Sequence, residues 1–421
     1  MEKIQQAAAR TVRSVLSGHN LNSALHTQLR TPALTDQERA AIRAYSYGTL
    51  RCLGLLRYML DQLVTRKPKN PDVIPLLLVA LYQLEYGKVP HYAVVDHAVK
   101  SANSVAGQAL RPFVNAVLRQ YLRRREELLR SARRDDVARL SYPHWWIEKL
   151  RSQLGAQADH ILELGNLHPP MTLRVNQRRI EPGQYLSMLE RQQIAAKMIG
   201  PSAILLEVPL AVERLPGFEE GLVSVQDAGA QESARLLDLQ AGQSVLDACA
   251  APGGKAGHIL ELADVRLTAL DADAERLERV NDNLRRLGLH ARLQCADAAQ
   301  LESWWDGGPV DRVLLDAPCS ASGVVRRHPD VKWLRRPSDV AGFASQQSRL
   351  LDALWQVVAC GGKLLYVTCS VFREENQDQV KRFLSSHADA RLVSRHPNSG
   401  GDLLLPSEEH DGFFHALFEK T

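Results

Sequence analysis

The stretch SVLDACAAPGGK, Ser244 to Lys255, passes from a short apolar run into a cysteine, a proline and two glycines, residues that do not belong inside a helix. Gly253 and Gly254 let the main chain approach a ligand closely and leave the amides of a following helix start open to an anionic group. The stretch is therefore read as the first strand-to-helix turn of an α/β sheet. Beyond it, strand-like and helical runs alternate: VRLTALD, AERLERVNDNLRRLG, ARLQCAD, DRVLLDAP, FASQQSRLLDALWQVV and KLLYVTCS. Such alternation predicts a parallel, doubly wound, Rossmann-like sheet over residues 236–421, with ligands at the carboxyl ends of its strands. The final GFFHALFEK, after ARLVS, is expected to add an antiparallel edge strand.

Chemistry is sought at those strand ends. The glycine spacing departs from GxGxxG, so a dinucleotide is not the natural ligand. Asp271, ending the second strand, is placed to bond ribose hydroxyls, and Asp297, after the third, to meet an adenine edge. Each acid alone reads equally well as a cap of the next helix. Taken together, the acids and the glycine turn point to S-adenosylmethionine, with its carboxylate near the turn and its ribose on Asp271. The fourth strand ends in DAPCSASG and the fifth in YVTCS, which brings Cys319 and Cys369 to the same edge. By contrast Cys52, Cys295 and Cys360 read as small buried side chains. Cytosine C5 is too weak a nucleophile to take a methyl group directly. Thiolate addition at C6 makes it enamine-like, and a base must then remove the C5 proton before the thiol leaves.

The rest of the chain sets the context. With 421 residues and 45% hydrophobic content, two or three globular domains are expected. Residues 1–140 carry apolar positions at helical spacing, as in AAIRAYSYGTLRCLGLLRYMLDQLV, with stops in TRKPKNPDV and YGKVPHY, and predict an all-α domain. From 141 to 235, helical pieces mix with the β-like runs TLRVN, AILLEV and LVSVQ, a small α+β segment. The formal net charge is only +4, so any basic surface is local. Six cysteines without a CxxC pair argue against a disulfide framework or a zinc site. The absence of a signal-peptide core or a long apolar run gives the expectation of a cytoplasmic chain with no membrane partner.

CAAPGGK, DAPCSASGVVRRHPDVKW and YVTCSVFREEN resemble the motifs of the RNA cytosine-5 methyltransferases. The helical part, with VPHYAVVDHAVKSAN and FVNAVL, resembles the NusB-type RNA-binding domain. The pairing of the two resembles the members of that family that act on 16S ribosomal RNA. The resemblance implies a class I S-adenosylmethionine-dependent methyltransferase domain, with S-adenosylhomocysteine as product and no metal. It implies Cys369 as nucleophile, Cys319 in breakdown of the adduct, and Asp316 holding or protonating cytosine N3. Cofactor contacts are implied at Cys249, Ala250, Ala251, Pro252, Gly253, Gly254, Lys255, Asp271, Asp297 and Asp316. The substrate implied is cytosine 967 of 16S rRNA, free or in an early assembly intermediate, with the enzyme a monomer.

GVVRRHPDVKWLRRP, Gly323 to Pro337, interleaves basic residues with His328 and Trp333 directly after a catalytic strand. Arg326, Arg327, Lys332 and Arg335 are accordingly expected to grip RNA phosphates, the alternative being a solvated charged face. The target base must be flipped or already lie in a loop. Two other readings stay open. A DNA cytosine-5 methyltransferase would use the cysteine after the fourth strand as nucleophile, in a PCQ setting. A non-catalytic RNA-binding factor would have no need of both cysteines and the glycine turn.

Overall fold

The computed structural model describes residues 1–31, 34–66, 68–393 and 400–421, so Lys67 of the TRKPKNPDV stop and Ser394 of ARLVS lie outside the described residues. The chain folds into two compact units, Met1–Leu167 with Val325–Pro337, and His168–Val324 with Ser338–Thr421. The helices His144–Leu154 and Ala158–Leu164, which the sequence divides from the helical part at 140, fold with the first unit.

The first unit is all-helical around Val73–Tyr86, a helix whose Leu76, Leu77, Leu78, Val79, Ala80 and Leu81 are all fully buried. A helix apolar on every side must be wrapped by others, and Glu2–Leu16, Asp36–Arg51, Leu53–Leu63, His91–Ala106 and Arg111–Ala132 do so. Helix starts follow the local chemistry: Thr35 and Glu38 form a capping box, and Pro112 sits in the first turn of Arg111–Ala132. On that last helix Arg125 pairs with Glu85 at 2.8 Å and Arg124 with Glu127 at 2.8 Å.

The segment Val325–Pro337 overturns part of the expected RNA grip. Arg326 and Lys332 are buried, at 2% and 0% exposure. The Lys332 ammonium donates to Arg51 O at 2.9 Å and Asn166 Oδ1 at 2.7 Å and lies 4.4 Å from the Tyr142 ring centre. Burial lowers its pKa to about 7. The Arg326 carbonyl accepts from Arg51 at 2.9 Å, the Trp333 indole donates to Leu50 O at 2.8 Å, and Asp330 takes the Leu21 amide at 2.9 Å. Both are thus buried groups of a strap in the helical unit, where carbonyls and an aromatic ring enclose the Lys332 ammonium. Arg327 and Arg335 are half-buried.

The second unit holds twelve strands among the described residues. β1 (Met171–Val175), β2 (Ala196–Met198), β3 (Ala203–Leu206) and β4 (Val223–Val225) make an antiparallel sheet in the order β2-β3-β1-β4. Its core comprises Leu173, Val175, Tyr185, Leu189, Ile204, Leu206, Leu215 and Val223. The remaining strands are β5 (Ser244–Asp247), β6 (Arg266–Asp271), β7 (Arg292–Cys295), β8 (Val310–Asp316), β9 (Val358–Thr368), β10 (Ala390–Val393), β11 (Asp402–Leu404) and β12 (Phe413–Lys420). They form a second sheet in the order β10-β12-β9-β8-β5-β6-β7, with β11 on β12. Strands β5 to β9 are parallel, and the strand order reverses between the neighbours β5 and β8.

Two expectations are corrected here. GFFHALFEK is antiparallel but not at the edge, because β10 pairs outside it. Cys295 and Cys360 are exposed, Cys295 on the edge strand β7 and Cys360 within β9 beside Gly361 and Gly362. Among the described residues no helix is long and apolar enough to cross a membrane.

β1 faces two ways, since alternate side chains of a strand point to opposite faces. Leu173 and Val175 enter their own core, and Arg174 turns toward the larger sheet's first helix, Gly254–Leu262. Its guanidinium, fully buried, forks onto Glu261 at 2.7 and 2.8 Å and donates to Gln226 Oε1 and Gly254 O at 2.6 Å each. One arginine therefore ties the small sheet to both ends of the helix that follows the glycine turn. Arg174→Ala leaves the Glu261 carboxylate buried without its partner, and a loss of about 3–5 kcal/mol in denaturant unfolding is expected. Arg174→Lys, lacking the fork, is expected to recover little of it.

Candidate active site

The parallel strands bring their carboxyl ends to one edge, and the residues singled out in the sequence arrive there together. After β5 the chain turns through Ala250 and Ala251, both buried, and exposed Pro252 to Gly253, whose φ of +95° lies in the left-handed region. A Cβ there would stand 3.0 Å from Val280 Cα, so glycine is required on both counts. Asp271 anchors this turn by accepting the Ala251 amide at 3.1 Å and the Asp273 amide at 3.1 Å. Asp297 caps its own turn through the Ala299 amide at 3.0 Å and pairs with Arg349 at 3.1 Å. Both acids therefore perform the capping role, and each carboxylate retains lone pairs for a ligand hydroxyl or amine.

Asp247, at the end of β5, escaped the sequence reading as a site residue. It is fully buried, and neither carboxyl oxygen has a partner at hydrogen-bond geometry. Burial pushes its pKa up to about 7, with Asp316 adding to the rise and Lys255 and the Cys249 amide opposing it. The Cys249 thiol is also pushed up, by burial and then by Asp316, Asp247 and Asp271, which makes it a packing group and not a nucleophile.

Lys255 points to the end of β8, where its ammonium lies 2.6 Å from Asp316 Oδ2. Burial alone would lower the Lys255 pKa, but Asp316, Cys369 and Asp247 outweigh it and the net shift is upward. A fixed positive charge therefore stands beside Cys369. The two thiols touch: Cys319 Sγ and Cys369 Sγ are 3.3 Å apart, at the ends of the neighbouring strands β8 and β9. The Cys319 thiol is held well above its ordinary range, first by its hydrogen bond to Cys369, then by burial and by the charges of Cys369 and Glu375. Either sulfur can be the donor in this contact. A separate cavity of about 530 Å³ lies at the amino-terminal ends of β5 to β8, lined by Ser244, Arg266, Arg292 and Val310, on the edge opposite this chemistry.

The chain is 42% identical to ribosomal RNA small subunit methyltransferase B of Vibrio cholerae over 424 residues, spanning 99% of this chain and 97% of that one. It belongs to the RsmB/F methyltransferase family. The Pseudomonas putida protein of the same name is 43% identical over 428 residues, 98% of each chain. The family described as 16S rRNA methyltransferase RsmB/F matches residues 234–419, the RsmF/B-like ferredoxin-like domain matches 142–213, and the NusB family matches 2–123. The crystal structure of PH0851 superposes with a TM-score of 0.82 at 23% identity over 100% of this chain and 99% of its own, which speaks for the fold. A methyltransferase homologue from Pyrococcus horikoshii matches 68% of this chain and 98% of its own at 27% identity and a TM-score of 0.61. RsmB/F enzymes are S-adenosylmethionine-dependent, and this chain has their NusB-like, ferredoxin-like and Rossmann-like parts.

The residues fit that cofactor. S-adenosylmethionine carries an α-ammonium and a sulfonium, and a buried carboxylate with two orphaned oxygens gains from a nearby cation. The sign of the resulting pH dependence is fixed. Below about 7 Asp247 is protonated, and a bound cation favours its ionised form, so binding releases a proton. Affinity for S-adenosylmethionine should rise with pH toward 7, by up to about tenfold per pH unit, and then level off. Titration calorimetry across pH 5 to 8 checks this, and Asp247→Asn should flatten the slope. An unchanged slope in that variant contradicts it.

Proposed function

We propose that this chain methylates C5 of one cytosine in 16S ribosomal RNA, position 967, through a covalent adduct on Cys369. The observation that carries the reading is the thiol pair, 3.3 Å apart beside the Lys255–Asp316 ion pair. Cys249 to Lys255, with Asp271, Asp297 and Asp316, would hold S-adenosylmethionine, which supplies an electrophilic methyl group. The Cys369 thiolate adds to C6 of the flipped base, and the electron pair moves toward N3, where Asp316 holds or delivers a proton. C5 then acts as the nucleophile.

Once Cys369 is a thioether, the largest cause of the elevated Cys319 pKa is gone. Cys319 can then release its proton to solvent and, as a thiolate, take the proton from C5. The C5 electron pair expels Cys369, the N3 proton returns to Asp316, and the thiol pair is restored, with one proton released overall.

The substrate is proposed as free rRNA or an early assembly intermediate, where the target base can still leave its stack, and the enzyme as a cytoplasmic monomer. RNA contacts are proposed at Arg327 and Arg335. Labelled methyl transfer to protein-free 16S rRNA and to assembled small subunits, followed by mapping, tests the assignment. Incorporation at the one cytosine of free RNA is expected. A folded, cofactor-binding protein that modifies no cytosine in either substrate would overturn it.

A further inference from the structure

The turns that carry the two thiols, residues 317–323 after β8 and 369–376 after β9, meet on one carboxylate. Glu375 is fully buried. Its Oε1 accepts the Ser320 amide at 2.7 Å and the Gln347 side-chain amide at 3.3 Å, and its Oε2 accepts the Ser320 and Ser370 hydroxyls, both at 2.5 Å. Ser320 directly follows Cys319, and Ser370 directly follows Cys369. The network extends through Ser322, whose Oγ lies 2.9 Å from Ser370 Oγ and accepts the Val371 amide at 2.9 Å. Asn376 accepts from Thr368 Oγ1 at 2.6 Å and donates to Ser370 O at 2.9 Å, and the Gly323 amide donates to Cys369 O at 2.9 Å.

Four donors converge on Glu375 and favour its ionised form, opposing the burial that raises its pKa. Burying a charge is costly, and an apolar filling of the same space is often as stable. A carboxylate at this position therefore points to a task other than packing. Both cysteine turns hang from its oxygens through the residue next to each thiol, and its charge is one of the causes that keep the Cys319 proton in place.

We propose that Glu375 is the positioning residue of the thiol pair, fixing Cys319 and Cys369 in contact by holding Ser320 and Ser370 on a single carboxylate. The proposal rests on the two-cysteine reading above. Its role differs from that of the cofactor turn, which sits at the ends of β5 and β6 and contributes none of these contacts.

The test compares Glu375→Ala, Glu375→Gln and Cys369→Ala for kcat, KM for S-adenosylmethionine and thermal unfolding. It adds the pH profile of iodoacetamide labelling at Cys319 and Cys369, read by peptide mass spectrometry. Loss of the carboxylate in Glu375→Ala should lower kcat on the order of a hundredfold with KM for the cofactor unchanged, as misplacement of a reacting group does. Glu375→Gln keeps an acceptor for the Ser320 amide and should recover part of kcat. In both variants the Cys319 labelling profile should move to lower pH, and Glu375→Gln, which keeps the side-chain volume, separates loss of the charge from loss of burial. A folded Glu375→Ala with parental kcat, or a loss confined to KM, overturns the proposal. If Glu375→Ala does not fold, Glu375→Gln decides, and a parental labelling profile there overturns it. Methyl transfer retained by Cys369→Ala would instead bring down the two-cysteine reading, whatever Glu375 does.

Discussion

Replacing Cys369 by alanine should reduce methyl transfer to 16S rRNA by about 10⁴-fold or more while leaving S-adenosylmethionine binding and the unfolding temperature close to those of the parent protein. The size of the effect follows from the chemistry. Without addition at C6 the C5 carbon never becomes nucleophilic, so no other group in the site can substitute. The small effect on binding follows from the geometry. Cys369 closes β9, whereas the glycine turn and Asp271 close β5 and β6. Steady-state methyl incorporation beside calorimetric cofactor binding separates the two quantities. Parental activity in this variant would move the nucleophile to Cys319, the arrangement expected of the DNA cytosine-5 enzymes.

Cys319→Ala has a different expected outcome, because its thiol serves the second half of the cycle. The Cys369 thiolate can still add to the base and C5 can still take the methyl group, but removal of the C5 proton has lost its acceptor. General-base losses are on the order of 10²–10⁴-fold, so multiple turnover should fall by that factor. The enzyme should accumulate as a protein–RNA adduct that survives denaturing electrophoresis. The two alanine variants thus fail on opposite sides of one intermediate, although their sulfur atoms are only 3.3 Å apart in the parent. Inactivity of both variants with an adduct in neither would remove the distinction between their roles.

The sequence made some of this site legible and hid the rest for physical reasons. The glycine turn, the strand-end acids and both cysteines were readable because each lies in a short string tied to one strand end, and parallel strands bring those ends to a common edge. Arg326 and Lys332 misled because an interleaved basic and aromatic string has the same composition whether it faces phosphates or is enclosed. The Lys332 ammonium is enclosed by Arg51 O, Asn166 and Tyr142, and Arg51 also binds the Arg326 carbonyl, all more than a hundred residues earlier in the chain. Arg174 was hidden likewise, as its partner Glu261 stands 87 residues away. Glu375 stood in plain view in YVTCSVFREEN, yet only the folded turns show that its oxygens reach the residue after each cysteine. The position of β12 inside the sheet depends on β10 pairing beyond it, which strand composition does not encode.

The central claim is a covalent bond between Cys369 and the target cytosine, and the most direct measurement is peptide mapping of the adduct formed by Cys319→Ala with 16S rRNA and S-adenosylmethionine. The account predicts one cross-linked peptide, containing Cys369, joined to a nucleotide that already carries the transferred methyl group. A cross-link at any other residue, or no covalent species while the parent protein methylates the same RNA, would contradict it.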